Sequence, residues 1–250
     1  MARKIAICTH KGGTGKTVTA LALATGFARE GQRCLLIDLD PQGHSTIGIG
    51  GNFQGPTLKE FFEQHPTLPF QQITYKTPVS DRLQIAPSDL RLAWTAEGLG
   101  ARPKREELLK RSLAAVEAQY DWIFMDTPPS LGVLTQNAVN AADFLVIPTL
   151  AEARATNAIV DLLELVSLMK GDSFEDYRIL LTRVDGRKSR TNHAVLEALQ
   201  PWIKKIFDTV IPQCEALNQA QMTQQDIYSY DPASTGALSY QDLIHEIQSL

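Results

Sequence analysis

The chain has few cysteines and no long hydrophobic run. Its three cysteines, Cys8, Cys34 and Cys214, are far apart and form no metal-type pair. Cys8 and Cys34 stand in apolar stretches, which favours small buried side chains without chemistry. No apolar run approaches the roughly 20 residues that a membrane span needs. These absences argue against a cysteine-bound metal and against a transmembrane protein.

The chain also lacks a strong charge of either sign. It has 24 basic and 28 acidic residues and a net charge of −4. The whole molecule is therefore not an obvious polyanion binder, and any contact with nucleic acid must come from a local patch. Residues 1–4 lead into an apolar run without a signal-peptide pattern, which predicts a cytoplasmic protein. No linker or repeat divides the 250 residues, so we expect 1–250 to form a single domain.

A glycine-rich turn near the N-terminus is the strongest functional signal. The segment K-G-G-T-G-K-T, residues 11–17, stands between an apolar strand at 4–9 and a helix predicted over 16–30. Such a turn cradles phosphates, because its backbone N–H groups and the helix dipole attract anions. Lys16 then reaches the β- and γ-phosphates, and the Thr17 hydroxyl ligates Mg²⁺. The predicted nucleotide contacts in this loop are Lys11, Gly12, Gly13, Thr14, Gly15, Lys16, Thr17 and Val18.

Aspartates that follow two further apolar strands belong to the same predicted site. Residues 34–37 form a strand that ends in the segment D-L-D-P-Q-G, residues 38–43. A strand, a helix and a strand in succession make a βαβ unit, whose ligand lies at the carboxyl ends of the strands. Residues 122–125 form a Walker B-like strand, and its terminal Asp126 is placed to hold the water shell of Mg²⁺. Asp38 either contacts Mg²⁺ through water or braces the loop.

Weaker patterns predict the remaining secondary structure. Glycines and prolines in residues 44–82 argue against long elements there, apart from a short helix near 58–62. Glu152 and Arg154 occupy a loop near the expected rim of the active site. The alternation of strands and helices predicts an α/β P-loop fold with a mostly parallel, twisted sheet flanked by helices on both faces. Further strands are predicted at 83–87, 143–148, 177–183 and 209–212, and helices at 89–99, 102–120, 155–170, 192–200 and 240–250.

The phosphate loop departs from the ordinary P-loop pattern at one informative position. That pattern requires a glycine five residues before Gly15, where His10 stands, and Lys11 opens the loop instead. The loop resembles the deviant Walker A motif of the ParA/MinD/Soj family of ATPases. The resemblance covers nearly the full length, through the segments D-L-D-P-Q-G, M-D-T-P-P-S, L-L-T-R-V-D-G-R, T-V-I-P and Y-D-P-A-S-T-G-A in the family's order.

This resemblance implies a Mg²⁺-dependent ATPase that works as a nucleotide-sandwich homodimer. In the family, the lysine at the position of Lys11 reaches across the dimer interface to the partner's nucleotide. The aspartate at the position of Asp40 positions or activates the attacking water, as phosphoryl transfer requires. Pro212 and residues near Thr182 enclose the adenine by the same resemblance. It therefore implies catalytic roles for Lys11, Lys16 and Asp40, ATP and Mg²⁺ as cofactors, and Thr17, Asp38 and Asp126 at the metal.

The resemblance also implies macromolecular partners. The ATP-bound dimer of the family binds double-stranded DNA without sequence preference, and a ParB-like or other adaptor protein stimulates hydrolysis. The result is the positioning of a cargo on the nucleoid: a plasmid, a chromosome or a large assembly such as a carboxysome. Sequence-independent binding needs basic side chains that face phosphates. The predicted DNA contacts are Arg187, Lys188 and Arg190, with Arg183, Lys204 and Lys205 behind them.

The segment after Pro212 departs from the family. Many relatives carry an arginine-rich stretch there, whereas this chain has Q-C-E-A-L at residues 213–217. This difference weakens the usual pattern of DNA contacts.

Three other functions stay open. A membrane-positioned ATPase like MinD would have a terminal amphipathic helix with basic flanks, whereas residues 240–250 carry acids and no lysine or arginine, so no membrane partner is expected. A metabolic enzyme on this scaffold would activate a small carboxylate or amide with ATP, and it needs a substrate pocket beside the γ-phosphate. An electron-transfer ATPase with a bridging iron–sulfur cluster needs two suitably placed cysteines, for which Cys8 and Cys34 are poor candidates.

Overall fold

Six of the predicted apolar strands lie side by side in one sheet, and an unpredicted short strand at residues 75–76 makes seven. The structure is a computed structural model that describes residues 1–152 and 155–250. The strands are β1 (Arg3–Ile7), β2 (Cys34–Asp38), β3 (Tyr75–Lys76), β4 (Leu83–Ala86), β5 (Trp122–Asp126), β6 (Phe144–Leu150) and β7 (Tyr177–Thr182). Their order in the sheet is β3-β4-β2-β5-β1-β6-β7. Only the pairing of β3 with β4 is antiparallel among these described strands.

Helices cover both faces of this sheet. Short 3₁₀ turns, among them Leu99–Ala101 and Arg105–Glu107, connect some of them. The predicted α/β fold, with a mostly parallel sheet between two layers of helices, is confirmed. The helices are α1 (Lys16–Arg29), α2 (His44–Gly48), α3 (Leu58–Gln64), α4 (Leu92–Gly98), α5 (Leu108–Leu113), α6 (Val133–Ala141), α7 (Ala155–Lys170), α8 (Ser189–Ala198), α9 (Glu215–Met222), α10 (Ile227–Tyr230) and α11 (Thr235–Gln248).

Successive side chains of the central strands enter two different hydrophobic layers. Ile5 and Ile7 pack with apolar residues of α1 and α11, whereas Ala6 packs with those of α5, α6 and α7. Leu35 and Ile37 of β2 belong to the second layer as well. A strand that is buried on both faces has a continuous apolar sequence, which is why these runs are easy to recognise. Each fully buried isoleucine or leucine contributes about 1.5–3 kcal/mol to stability.

The strand order brings the three parts of the predicted site together at one edge of the sheet. β5 lies between β1 and β2, so that Asp126 pairs with Ile7 on one side and with Asp38 on the other. The phosphate loop follows Ile7, and the segment with Asp40 follows Asp38. Both loops and Asp126 therefore leave the sheet at the same place, which is where parallel sheets bind their ligands.

The prediction of one long helix over residues 102–120 is wrong. The segment contains only the 3₁₀ turn Arg105–Glu107, the short helix α5 and another 3₁₀ turn at Glu117–Gln119. The buried Asn137 of α6 explains the break. Its Oδ1 accepts from the Leu109 N–H at 3.0 Å, and its Nδ2 donates to the Arg105 carbonyl at 2.7 Å. These two groups would bond to each other in a continuous helix, so the amide of Asn137 takes the place of a helical hydrogen bond.

Two other elements differ clearly from prediction, and the helix predicted over 192–200 is observed at Ser189–Ala198. Residues 209–212, predicted as a strand, contribute only an isolated bridge between Pro212 and Val184. Proline has no N–H to continue a ladder. The C-terminal helix, predicted over 240–250, begins at Thr235, because the Ser234 hydroxyl caps it by accepting from the Ala237 N–H at 3.2 Å.

Replacing Asn137 tests how much its side-chain amide stabilises the fold. We expect Asn137→Ala to lower the free energy of unfolding by about 2 kcal/mol, because it leaves the buried Leu109 N–H without its acceptor. Urea denaturation measures the change. Asn140→Ala on the same helix is the matched control, since its amide makes a 3.2 Å bond to the Glu106 carbonyl at a half-buried site. Equal losses in the two variants would contradict this account of Asn137.

Candidate functional site

The loop between β1 and α1 forms one wall of a cavity of about 390 Å³. Gly13 and Gly15 have φ angles of 73° and 90°, in the left-handed region that favours glycine. All of residues 12–18 line the cavity, and their contacts with a nucleotide stay a prediction. The N-terminus of α1, with its unpaired N–H groups and positive dipole end, thus borders the same space. This arrangement has the features of a phosphate cradle.

The side chain of Lys16 is buried within this wall. Its Nζ donates to the Lys11 carbonyl at 3.2 Å, and the residue is only 7% exposed. Burial lowers the pKa of Lys16, while the charges of Asp126 and Asp40 act in the opposite direction. The loop itself is held from β7, because the Thr182 hydroxyl donates to the Thr14 carbonyl at 2.7 Å. A buried ammonium in a fixed loop is well placed to bind phosphate oxygens.

Two buried carboxylates lie next to each other on β2 and β5. Asp38 and Asp126 are register partners, and neither is exposed. The N–H and the hydroxyl of Thr46 both donate to Oδ2 of Asp38 at 2.7 Å, and Ser45 Oγ donates to Oδ2 of Asp126 at 2.7 Å. Burial raises the pKa of both carboxyl groups, and the Asp126 charge raises that of Asp38 further. A cation beside the pair would relieve this repulsion.

One oxygen of Asp126 indicates where a cation fits. Its Oδ1 is buried and accepts no hydrogen bond from any residue within 1–152 and 155–250. Within those ranges no three His, Cys, Asp or Glu side chains gather into an all-protein metal site. Mg²⁺ needs none, because it keeps several waters and binds through one or two protein ligands and substrate phosphates. The Thr17 hydroxyl, which counteracts the rise in the pKa of Asp126, completes a set that fits Mg²⁺.

The contacts of Asp38 match the second of its two predicted roles. Its carboxylate accepts from Thr46 and, at 3.2 Å, from the Asp40 N–H. Asp38 therefore braces the loop that carries Asp40, and its contact with Mg²⁺ through water stays a prediction.

Asp40 itself borders the cavity. Its Oδ1 accepts from the Gln42 N–H at 3.0 Å, and its carbonyl accepts from the Gly43 N–H at 2.9 Å. The tight turn after β2 thus holds the carboxylate at the cavity wall, where a water-positioning group is needed.

Lys11 lies at the rim of the cavity. Its carbonyl accepts a hydrogen bond from Lys16 Nζ, and its own Nζ donates to Glu152 Oε2 at 2.8 Å. This hydrogen bond, together with the charge of Lys11, lowers the pKa of Glu152. Arg154, which we predicted beside Glu152, lies outside the described residues.

The cavity lining also contains residues that the sequence did not reveal. Pro212 lines the cavity together with Thr182, and their predicted contact with adenine stays a prediction. Helix α9 was not predicted at all, although the apolar spacing of Leu217 and Ala220 is a weak helical signal. Unpredicted residues of the lining are Gln42, His44, Pro129, Arg183, Ile211, Gln213, Cys214, Leu217, Asn218, Gln221 and Tyr240.

The three predicted DNA contacts differ in their surroundings. Nε and Nη2 of Arg187 both donate to the Asp185 carboxylate at 2.9 Å, which contributes to lowering the pKa of Asp185 to about 2. Lys188 and Arg190 are exposed, and neither has an ion-pair partner in the part of the chain that the structure describes. Two cations of this loop are therefore available to an anionic ligand, while Arg187 is partly neutralised.

Fold and site together define a P-loop nucleotide-binding protein, and comparisons with known proteins specify the family. A family model described as an AAA domain matches residues 2–179. The sporulation initiation inhibitor protein Soj of Bacillus subtilis is 35% identical, covering 99% of this chain and 98% of Soj. The chromosome partitioning protein ParA of Myxococcus xanthus is 34% identical, covering 98% and 87%.

A solved structure adds the bound ligands. Cobyrinic acid a,c-diamide synthase from Mycobacterium smegmatis, with a bound ATP analogue and magnesium, matches with a TM-score of 0.82 and 26% identity, covering 99% of this chain and 95% of that chain. The present chain belongs to the ParA/MinD family of P-loop ATPases. Its nucleotide is ATP and its metal is Mg²⁺, as the resemblance implied.

Removal of the Lys16 ammonium tests the phosphate cradle. We expect Lys16→Ala to weaken ATP binding at least about 30-fold, since truncating one partner of a buried charge pair costs about 2–5 kcal/mol. Isothermal titration calorimetry measures the affinity. Lys76→Ala, which removes an exposed lysine of β3, should bind ATP like the unmodified protein. Tight binding by a folded Lys16→Ala variant would refute the assignment.

Proposed function

We propose that residues 1–250 act as one ParA-like ATPase domain that closes into an ATP-bound homodimer and positions a cargo on DNA. The dimer binds double-stranded DNA without sequence preference, and a ParB-like or other adaptor protein stimulates hydrolysis. The protein then works in the cytoplasm, on the nucleoid. The observation that carries the proposal is the place of Lys11, whose ammonium lies at the rim rather than among the residues that line its own cavity.

The contact that holds Lys11 is weak enough to be exchanged. The side chains of Lys11 and Glu152 are 31% and 59% exposed. An exposed ion pair contributes at most about 1 kcal/mol. Triphosphate oxygens in a closed, water-poor interface are stronger acceptors for an ammonium group. The transfer of Lys11 from Glu152 to the nucleotide of a second protomer is therefore favourable once the two copies meet.

In such a dimer, each of these residues of the cavity has a separate role in hydrolysis. Phosphoryl transfer depends on positioning and on the stabilisation of charge. Lys16 binds the β- and γ-phosphates, and Asp40 orients the attacking water from the turn after β2. Thr17 and Asp126 would hold Mg²⁺, which would neutralise charge on the phosphates. Lys11 of the partner subunit adds the positive charge that a single chain lacks at its own phosphates.

The basic loop beside the rim is the proposed contact with DNA. Lys188 and Arg190 flank the first residue of α8, where positive charge is unfavourable to the helix dipole. Bound phosphates would remove this disadvantage. Lys188 and Arg183 also lower the pKa of Glu152, so that their charges act near the Lys11–Glu152 contact. DNA held by this loop would lie along the rim at which two protomers meet.

Observations on α11 argue against the MinD-like alternative. Its apolar face is buried, with Tyr240, Leu243 and Ile244 packed in the layer that contains α1. Among the described residues, no helix has both the length and the apolar composition that crossing a membrane requires.

The metabolic alternative has one observation in its favour, the 26% identity to the diamide synthase. The higher identities to Soj and ParA, 35% and 34%, support cargo positioning instead.

The first test separates hydrolysis from dimerisation. We expect Asp40→Ala to bind ATP and dimerise but to hydrolyse ATP at least about 100-fold more slowly, because the water loses its orienting group. Combining Asp40→Ala with Lys11→Ala should leave ATP binding intact and abolish the dimer. Sedimentation velocity with ATP measures assembly, and phosphate release measures turnover. Dimers that persist without Lys11 would contradict its role in dimerisation. Ordinary turnover without Asp40 would contradict its role in hydrolysis.

The second test addresses DNA. We expect Lys188→Ala with Arg190→Ala to weaken ATP-dependent DNA binding and to reduce its salt slope by about 1 for each DNA phosphate that is no longer neutralised. Arg187→Ala should have a smaller effect, since Asp185 already neutralises that side chain. The matched control is Lys104→Ala with Lys110→Ala, which removes the same charge from an exposed segment around α5. Equal weakening by both pairs would indicate only a general charge effect and move the site elsewhere.

A further inference from the structure

Helix α9 presents one face to the nucleotide cavity. Leu217, Asn218 and Gln221 all line it, and their spacing of one and three residues places them on the same side of the helix. Leu217 is buried, whereas Asn218 and Gln221 are exposed. The lining that α9 contributes is therefore an apolar base with two carboxamides at its edge.

This wall differs chemically from the phosphate end of the cavity. Lys16 and Asp40 bring charges to the phosphate end, whereas the three lining residues of α9 are all uncharged. Pro212 and Ile211 add apolar surface beside α9. A flat, uncharged heterocycle with polar atoms on its edge suits such a wall, and the nucleobase is the part of ATP with that chemistry.

The two carboxamides have hydrogen-bonding capacity to spare. The Asn218 Nδ2 contacts Glu215 Oε2 at 3.5 Å, the outer limit of a hydrogen bond. The Gln221 amide has no side-chain partner in the part of the chain that the structure describes. Gln219 on the same helix is different, because its Nε2 donates to Glu215 Oε1 at 2.8 Å. Gln219 is thus hydrogen-bonded within the helix, whereas the amides of Asn218 and Gln221 can form hydrogen bonds with a ligand in the cavity.

We propose that Asn218 and Gln221 are specificity-determining residues that read the 6-amino edge of adenine. The inference rests on the proposed function, since it assumes ATP in this cavity. A carboxamide offers one acceptor and one donor side by side, which matches the 6-amino group and N7 of adenine. Guanine presents two acceptors, O6 and N7, at the same edge. The amide face of α9 therefore selects ATP over GTP.

The test combines protein variants with a base analogue. Asn218→Leu and Gln221→Met keep the side-chain volume and remove the hydrogen bonds, and Gln219→Met is the matched control. Displacement of a fluorescent ATP analogue measures the affinities for ATP, GTP and purine riboside 5′-triphosphate, which lacks the 6-amino group. We expect the unmodified protein to bind ATP at least about 3-fold more tightly than either competitor, since one hydrogen bond contributes about 0.5–1.5 kcal/mol.

Each cavity-facing variant should lose about 3- to 10-fold in affinity for ATP and less for the purine riboside nucleotide, which keeps N7 but has no 6-amino group to bond to the carboxamide oxygen. At saturating ATP both variants should still dimerise, and Gln219→Met should match the unmodified protein throughout. Unchanged discrimination in both variants would overturn the inference. So would equal binding of ATP and the 6-amino-free analogue by the unmodified protein, while the proposed ATPase function would stand. Failure to bind any of the three nucleotides would refute the proposed function itself.

Discussion

The buried charges at the carboxyl edge of the sheet depend on one another. Asp38 and Asp126 are fully buried on adjacent strands, and Lys16 is nearly so in the loop beside them. An isolated charge in such a place would be very costly, so each needs a partner or a change of protonation. Lys16 offsets part of the negative charge, and the hydroxyls of Ser45 and Thr46 bond to the carboxylates. What remains unsatisfied, above all Oδ1 of Asp126, suits a hydrated Mg²⁺ that also binds phosphates.

The same charges organise the segment that carries Asp40. Asp38 bonds to the Asp40 N–H and to Thr46, and the Thr46 hydroxyl in turn accepts from the Ser88 N–H at 3.0 Å. Asp126 holds Ser45 in the same segment. The candidate water-positioning residue is thus held through contacts with β2, β5 and the segment after β4. Preorganisation of this kind avoids the cost of ordering a loop during the reaction.

Lys11 contrasts with this rigid interior. Its side chain is held by an exposed partner at the rim, through a contact that water screens. A fixed cavity with an exchangeable lysine at its edge suits an ATPase whose activity depends on assembly, because only the exchangeable part has to move. The basic segment 183–190, which ends in the first turn of α8, contributes charges that act on Glu152. In the proposed function, dimer formation and DNA binding would therefore be coupled through neighbouring surfaces.

The sequence alone determined the elements that depend on interactions between residues close together in the chain. The glycine loop, the doubly buried strands and the aspartates at their ends follow from composition and spacing, since a continuous apolar run has few other solutions in a parallel sheet. Contacts between distant segments were decided by the tertiary structure alone. Asn137 breaks the helix predicted over 102–120 from more than twenty residues away. Likewise, Glu152 meets Lys11, and α9 turns two amides toward the cavity, because folding brings together residues that no periodicity connects.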